Sequence, residues 1–228
     1  MHCHLEKGVR VDVMASKSML LSTKLVLASG SPRRSEIMKS AGFKFEIQVP
    51  NVDEGIIGDG FPAEELAVEL ARAKAKAVAN DMPDAIVVAA DTVVSKDGVL
   101  YSKPHDADDA VRMLLQLGDS SHTVTTGVSV VRFGQRWAHY ESTIVNMRDY
   151  DADEIAAYVA SGSPLDKAGA YGIQDESFMP AASIEGCYLN VVGLPMCLAS
   201  KLMARALLFE DSAPPDCPNH NMLPGLAI

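Results

Sequence analysis

The residues of this 228-residue chain best equipped for chemistry stand in a few short stretches. The first is Ser29-Gly30-Ser31-Pro32-Arg33-Arg34, directly after the apolar run Leu25-Val26-Leu27-Ala28. Ser31 suits a helix cap and Pro32 the first helical turn. Two arginines in that turn oppose the helix dipole. An anion bound among the small residues and amide groups of the turn would offset that penalty. The plain alternative is a capped helix carrying two exposed arginines.

Asp91 follows the continuous apolar run Ala85–Ala90. A carboxylate at the end of a strand buried on both faces can hold a hard divalent cation through oxygen, or orient and deprotonate a water. It can equally be a turn-forming Asp. Glu54, in the polar loop Asn51-Val52-Asp53-Glu54-Gly55, is a candidate second carboxylate. By itself it reads as a solvated loop charge. Lys103 precedes Pro104, which restricts its backbone. A lysine ammonium is a mobile point charge suited to a polyphosphate. Lys74, within Arg72-Ala73-Lys74-Ala75-Lys76, reads first as part of a solvated helix face. In Asp166-Lys167-Ala168-Gly169-Ala170-Tyr171-Gly172-Ile173-Gln174, the glycines suit close backbone approach, and Gln174 offers both a donor and an acceptor to a base edge. An ordinary turn region fits that stretch as well.

These stretches need a scaffold, and the chain offers one. Leu25–Ala28 reads as a short buried strand, followed by a helix from Pro32 to the stop residue Gly42. Phe43–Val49 alternates as a strand. Pro62 opens a long helix with Leu66, Leu70, Ala73 and Ala77 at helical spacing. The Ala85–Ala90 strand is expected to end at Asp91-Thr92, with a hairpin turn at Lys96-Asp97-Gly98. Residues 106–117 repeat as a helix. His122–Val131 and Trp137–Asn146 read as two long strands joined around Phe133-Gly134-Gln135. Asp151 caps a helix to about Val159, Ser161–Gln174 is irregular, Leu189–Val192 is a last strand, and Pro195 opens a last helix to about Phe209. The implied class is α/β with a mixed sheet, in which ligands sit at strand ends and helix N-termini.

Composition bounds the function. Apolar residues make up 48% and charged residues 22% of the chain, ordinary for a globular protein. Twenty basic side chains against 30 acidic ones give a net charge of −10, which argues against a non-specific nucleic-acid or membrane-surface binder. A local basic cluster can still hold an anionic small ligand. No apolar run approaches the ~18 residues of a spanning helix. Cys3, Cys187, Cys197 and Cys217 are scattered, which fits a reducing compartment better than a disulfide framework or structural zinc. His2-Cys3-His4 reads as incidental. The sequence contains no G-x-x-x-x-G-K-[ST] and no G-x-S-x-G. Residues 1–23 read as an extension without a signal-peptide core, 24–209 as one folded domain, and the proline-rich 210–228 as a loose tail.

Leu27–Arg34, Ala89-Ala90-Asp91-Thr92-Val93-Val94, Lys103-Pro104, Asp166–Gln174 and Asn190-Val191-Val192-Gly193-Leu194-Pro195 together resemble the Maf family of nucleoside triphosphate pyrophosphatases, over about residues 24–208. The resemblance implies a mixed, strongly twisted central sheet flanked by helices with a deep cleft, as in inosine-triphosphate pyrophosphatases. Asp91-Thr92 with Tyr171–Gln174 resembles the dTTP/UTP branch, and implies hydrolysis of dTTP, UTP and modified pyrimidine triphosphates to monophosphate and pyrophosphate. Carried over by position, the family's set falls on Ser29, Arg33, Arg34, Glu54, Lys74, Asp91, Lys103 and Gln174. Asp91 matches the proton acceptor, and Arg34, Thr92 and Gln174 match positions linked to base choice. The resemblance further implies Mg²⁺ or Mn²⁺ held by Glu54 and Asp91, a homodimer and a cytoplasmic location, with no nucleic acid or membrane partner. Two alternatives stand beside this: the same reaction on another base such as 7-methyl-GTP, or a nucleotide-binding regulator of cell division without turnover. Asp175-Glu176-Ser177-Phe178-Met179-Pro180 departs from the family's small, glycine-rich stretch, and its two acids either repel a triphosphate or face solvent.

Overall fold

The computed structural model describes residues 23–53 and 60–208. The tail, the extension up to residue 22 and Glu54 lie outside the described residues.

A seven-stranded mixed sheet runs in the order β2-β1-β3-β5-β6-β7, with β4 paired to β3. Its strands are β1 (Leu25–Leu27), β2 (Glu46–Ile47), β3 (Ile86–Lys96), β4 (Val99–Tyr101), β5 (Ser121–Arg132), β6 (Gln135–Met147) and β7 (Ala181–Glu185). β1 is parallel to β2 and β3, and the remaining pairs are antiparallel. The helices are α1 (Pro32–Ser40), α2 (Ala63–Ala79), α3 (Ala107–Leu117), α4 (Ala152–Ala160), α5 (Tyr188–Val192) and α6 (Met196–Leu208). Both expected hairpins form, with Asp97-Gly98 and Phe133-Gly134 at positive φ. Asp151 and Glu154 close a capping box on α4, each side chain accepting the other's backbone N–H. Asp106 caps α3 by accepting from the Asp109 N–H at 2.8 Å.

The long strands feed separate cores, because alternate side chains face opposite ways. Ile86, Val88 and Ala90 of β3 pack with Ile37 and Met38 of α1 and Leu202 and Met203 of α6. Val87 and Ala89 face the other way, onto Ala75 and Val78 of α2. Further along, Val94 of β3 and Val124 of β5 join Leu114 of α3, Tyr158 of α4, Tyr171 and Phe178.

Four expectations are corrected. β3 does not end at Asp91-Thr92. It continues to Lys96, because β5 offers pairing partners from Gly127 opposite Asp91 to Thr123 opposite Ser95. The Phe43–Val49 strand shrinks to Glu46–Ile47, an edge pairing only with the three residues of β1. Leu189–Val192 is helical, within α5; a short apolar run is equally a buried strand or a buried helix segment. The buried stripe of α2 is Ala67, Leu70, Ala71, Ala75 and Val78, with Leu66, Ala73 and Ala77 only half-buried. The sequence reading also left out β7, which pairs with Ile144–Met147 of β6. The glycine-rich stretch contains two 3-10 turns, Ser163–Asp166 and Ala168–Ala170.

Candidate active site

The topology leaves one opening beside β3. β1 covers its edge at Ile86–Val88 and β4 covers the same edge at Val94–Lys96. Among the described residues no strand covers that edge over Ala89–Val93. A cavity of about 1170 Å³ meets the sheet there. It is lined by Ser29, Arg33, Arg34, Lys74, Asp91, Thr92, Lys103 and Gln174. Every proposed site residue among the described residues is therefore in one place, and Glu54 is outside them. Asp91 lines the cavity from mid-strand rather than from the strand end expected for it.

Asp91 and Thr92 are neighbours whose side chains leave opposite faces of β3. Asp91 faces α2, where its carboxylate accepts from the Lys74 ammonium. Both side chains are nearly buried, 11% exposed for Asp91 and 12% for Lys74. The Lys74 of the apparently solvated helix face is thus turned inward. α2 can lie close enough for this because Gly127 stands opposite Asp91 in the ladder. A Cβ on Gly127 would fall 2.2 Å from the Ala67 carbonyl oxygen. The helix meets the strand with its fully buried alanines, Ala67, Ala71 and Ala75.

Thr92 faces α1 and α5. Its hydroxyl oxygen accepts from Arg34 Nη2 at 3.1 Å. The Arg34 Nε donates to the Gly193 carbonyl at 2.8 Å, and Nη1 lies 3.4 Å from Ser29 Oγ. Ser29 Oγ also accepts from the Ser31 N–H at 3.1 Å, so Ser29 organises the turn. Ser31 holds the cap position with extended backbone but makes no side-chain cap bond. Gly193 ends α5 at φ 119°, and a side chain there would meet Thr92 Oγ1 at 3.3 Å. Arg33 reaches across to Asp166 at 3.2 Å in a half-exposed pair. Burial opposes ionisation of Asp166, yet the hydrogen bond from Lys167 and the Arg33 charge hold its carboxyl below the ordinary range. Lys103 is exposed beside Pro104, just past β4.

Asp175 lines the cavity, with its carboxylate engaged by neighbouring side chains. Its Oδ2 accepts from the Tyr158 hydroxyl and, at 3.1 Å, from the Ser163 hydroxyl, and lies 3.9 Å from the Lys167 ammonium. Burial, then the hydrogen bond to Asp175, push the Tyr158 phenol well above its ordinary range. Glu176 is exposed.

Sequence reasoning gave no role to Thr126, Asn190, Asp166 or Lys167. Asn190 carried a signal: it is a lone amide inside the apolar run Leu189–Val192, and such a group is buried only with its hydrogen bonds made.

Among the described residues, no group of three or more His, Cys, Asp or Glu could hold a metal ion. One nearly buried carboxylate beside several cations does fit Mg²⁺ or Mn²⁺ shared with a polyphosphate, since Mg²⁺ usually takes one or two carboxylates and fills its shell with phosphate oxygens and water. Also among the described residues, no helix is long and apolar enough to cross a membrane.

The chain is similar to proteins already known. A dTTP/UTP pyrophosphatase of Moorella thermoacetica is 46% identical over 184 residues, covering 80% of this chain and 94% of the relative. One from Salinibacter ruber is 49% identical over 179 residues, covering 77% and 87%. The solved Staphylococcus aureus Ham1 protein aligns loosely, with a TM-score of 0.41 and 16% identity over 56% of this chain and 73% of its own. The family model described as Maf-like protein matches residues 24–206, and the chain belongs to the Maf-like family.

Proposed function

We propose that the cavity beside β3 hydrolyses dTTP and UTP, and modified pyrimidine triphosphates, to the monophosphate and pyrophosphate. The observation that carries this reading is the gathering of Arg33, Arg34, Lys74, Lys103 and Asp91 around one cavity. The dTTP/UTP pyrophosphatases that are 46% and 49% identical to this chain across most of their length support the substrate.

Cleavage of a phosphoanhydride asks for positioning and charge stabilisation more than covalent work. Ser29, Arg33 and Arg34 receive phosphate oxygens at the N-terminus of α1, and Lys103 meets them from the far wall. Asp91 accepts the proton of the attacking water. Lys74 holds the Asp91 carboxylate in place. Arg34, Thr92 and Gln174 discriminate the base. Asp91, with Glu54, would hold Mg²⁺ or Mn²⁺, which when bound supplies additional neutralisation of the phosphate charge. The enzyme acts as a homodimer in the cytoplasm.

Pyrophosphate release from dTTP, UTP, CTP, GTP and 7-methyl-GTP with Mn²⁺ tests the reading, using wild type and Asp91→Asn. Turnover of dTTP and UTP that collapses in the variant is expected. Tight nucleotide binding with no product from any of them would overturn it in favour of a non-catalytic binder, and preferred turnover of 7-methyl-GTP would move the base.

A further inference from the structure

Behind Thr92 lies a chain of polar groups with a fixed direction. Thr126 pairs with Thr92 across β3 and β5, and their hydroxyl oxygens are 2.9 Å apart. Either could donate in isolation. The Thr126 hydroxyl, however, gives its one proton to the Asn190 carbonyl at 2.9 Å. A carbonyl only accepts, so the Thr92 hydroxyl must donate to Thr126. The Thr92 lone pairs then face Arg34 Nη2, which donates at 3.1 Å. The order is Arg34 to Thr92 to Thr126 to the Asn190 carbonyl, each group donating to the next.

Asn190 anchors the far end. It is fully buried. Its side-chain carbonyl accepts from the Thr126 N–H at 3.1 Å, and its amide donates to the Val124 carbonyl and to Thr143 Oγ1, both at 2.9 Å. Thr143 Oγ1 also accepts from the Cys187 N–H at 3.0 Å. Three elements, β5, β6 and α5, are thus tied through one amide. α5 in turn presents the Gly193 carbonyl that takes Arg34 Nε. Arg34 is held at two nitrogens by groups that Asn190 organises. Neither Thr126 nor Asn190 lines the cavity.

We propose that Thr126 and Asn190 are positioning residues: they fix the proton direction of the Thr92 hydroxyl and so aim the Arg34 guanidinium at the bound nucleotide. This rests on the role given to Arg34 above. Without the Thr126 hydroxyl, Thr92 loses its acceptor and its proton is free to turn toward Arg34, where donor would meet donor.

The test is a mutant cycle on the full chain, reading kcat and KM for dTTP with Mn²⁺. Thr126→Val keeps the shape and removes the hydroxyl. It should lower kcat/KM about tenfold, the loss expected for a hydrogen bond to a charged group. Thr126→Ser, which keeps the hydroxyl, should stay within about twofold of wild type. In an Arg34→Ala background, Thr126→Val should have no further effect, because its influence passes through that side chain. Thr126→Ala serves the same purpose if the valine variant does not fold. An additive loss in that background, or a wild-type Thr126→Val, overturns the proposal while leaving Arg34 in place. An Arg34→Ala enzyme with wild-type kinetics overturns the role of Arg34 itself, and the proposal with it.

Discussion

Gly127 faces Asp91 directly across the β3–β5 ladder, and the backbone of Ala67 occupies the space a side chain on Gly127 would need. One glycine therefore sets how close α2 comes to the sheet, and that distance lets Lys74 reach Asp91. Gly127→Ala should act as an overpacking change with backbone on the other side, which cannot swing away. A stability loss of about 1–3 kcal/mol is expected, measured by urea denaturation. Activity should fall as well, because α2 and Lys74 move outward together. A variant as stable and active as wild type would show that α2 does not depend on this contact.

Lys74 and Asp91 form the least exposed ion pair among the described residues. Removing Lys74 leaves the nearly buried Asp91 carboxylate without this ammonium. Lys74→Met should destabilise by about 3 kcal/mol, as for buried pairs broken from one side. Adding Asp91→Asn to Lys74→Met should recover much of that stability while activity remains lost. Thermal melts of the two single variants and the double variant check the coupling. Simple additivity would mean that the pair contributes nothing as a pair.

Asp175 has the opposite character to a specificity residue. Its carboxylate is taken up by Tyr158, Ser163 and Lys167. Asp175→Asn should therefore weaken the fold by about 1–3 kcal/mol through lost charged hydrogen bonds. The ratio of kcat/KM for dTTP over GTP should stay unchanged. A shifted ratio with unchanged stability would make Asp175 a base-discriminating residue of the cavity it lines.

The parts of this fold that were legible in sequence have local causes. The Asp151–Glu154 capping box, the Asp97-Gly98 and Phe133-Gly134 hairpins and the continuous apolar face of β3 are each written within a few residues. The misread parts have causes that lie elsewhere in the chain. β3 passes Asp91 because β5 supplies partners there, and Leu189–Val192 becomes a helix as Asn190 bonds into β5 and β6. Lys74 reads as solvated until Gly127, 53 positions later, is known to admit α2 to the sheet. The site residues Ser29, Arg33, Arg34, Lys74, Asp91, Thr92, Lys103 and Gln174 were legible as a set only through the family resemblance. Spacing alone left most of them with an ordinary alternative, because a cavity is assembled from distant strand edges that no local pattern records.

A buried pair behind the cavity makes stability depend on pH. His122 Nε2 lies 2.7 Å from the Tyr171 hydroxyl, and His122 Nδ1 is buried with no hydrogen-bond partner among the described residues. Burial, with the Lys96 charge adding to it, lowers the His122 pKa from 6.5 to about 4. The folded state thus keeps the imidazole neutral where the unfolded chain takes up a proton. This contribution to stability is complete above the unfolded pKa and is lost as the pH falls from 6.5 toward about 4. Between about pH 7 and about pH 5 the loss should be about 2 kcal/mol. His122→Gln keeps a polar partner for Tyr171 but does not titrate. Urea denaturation of both proteins at the two pH values isolates the histidine, since every other titrating group is common to them. The wild type should lose about 2 kcal/mol more than the variant. Equal losses would mean that His122 accepts its proton in the folded state, which would require the cavity wall around Tyr171 to open to water.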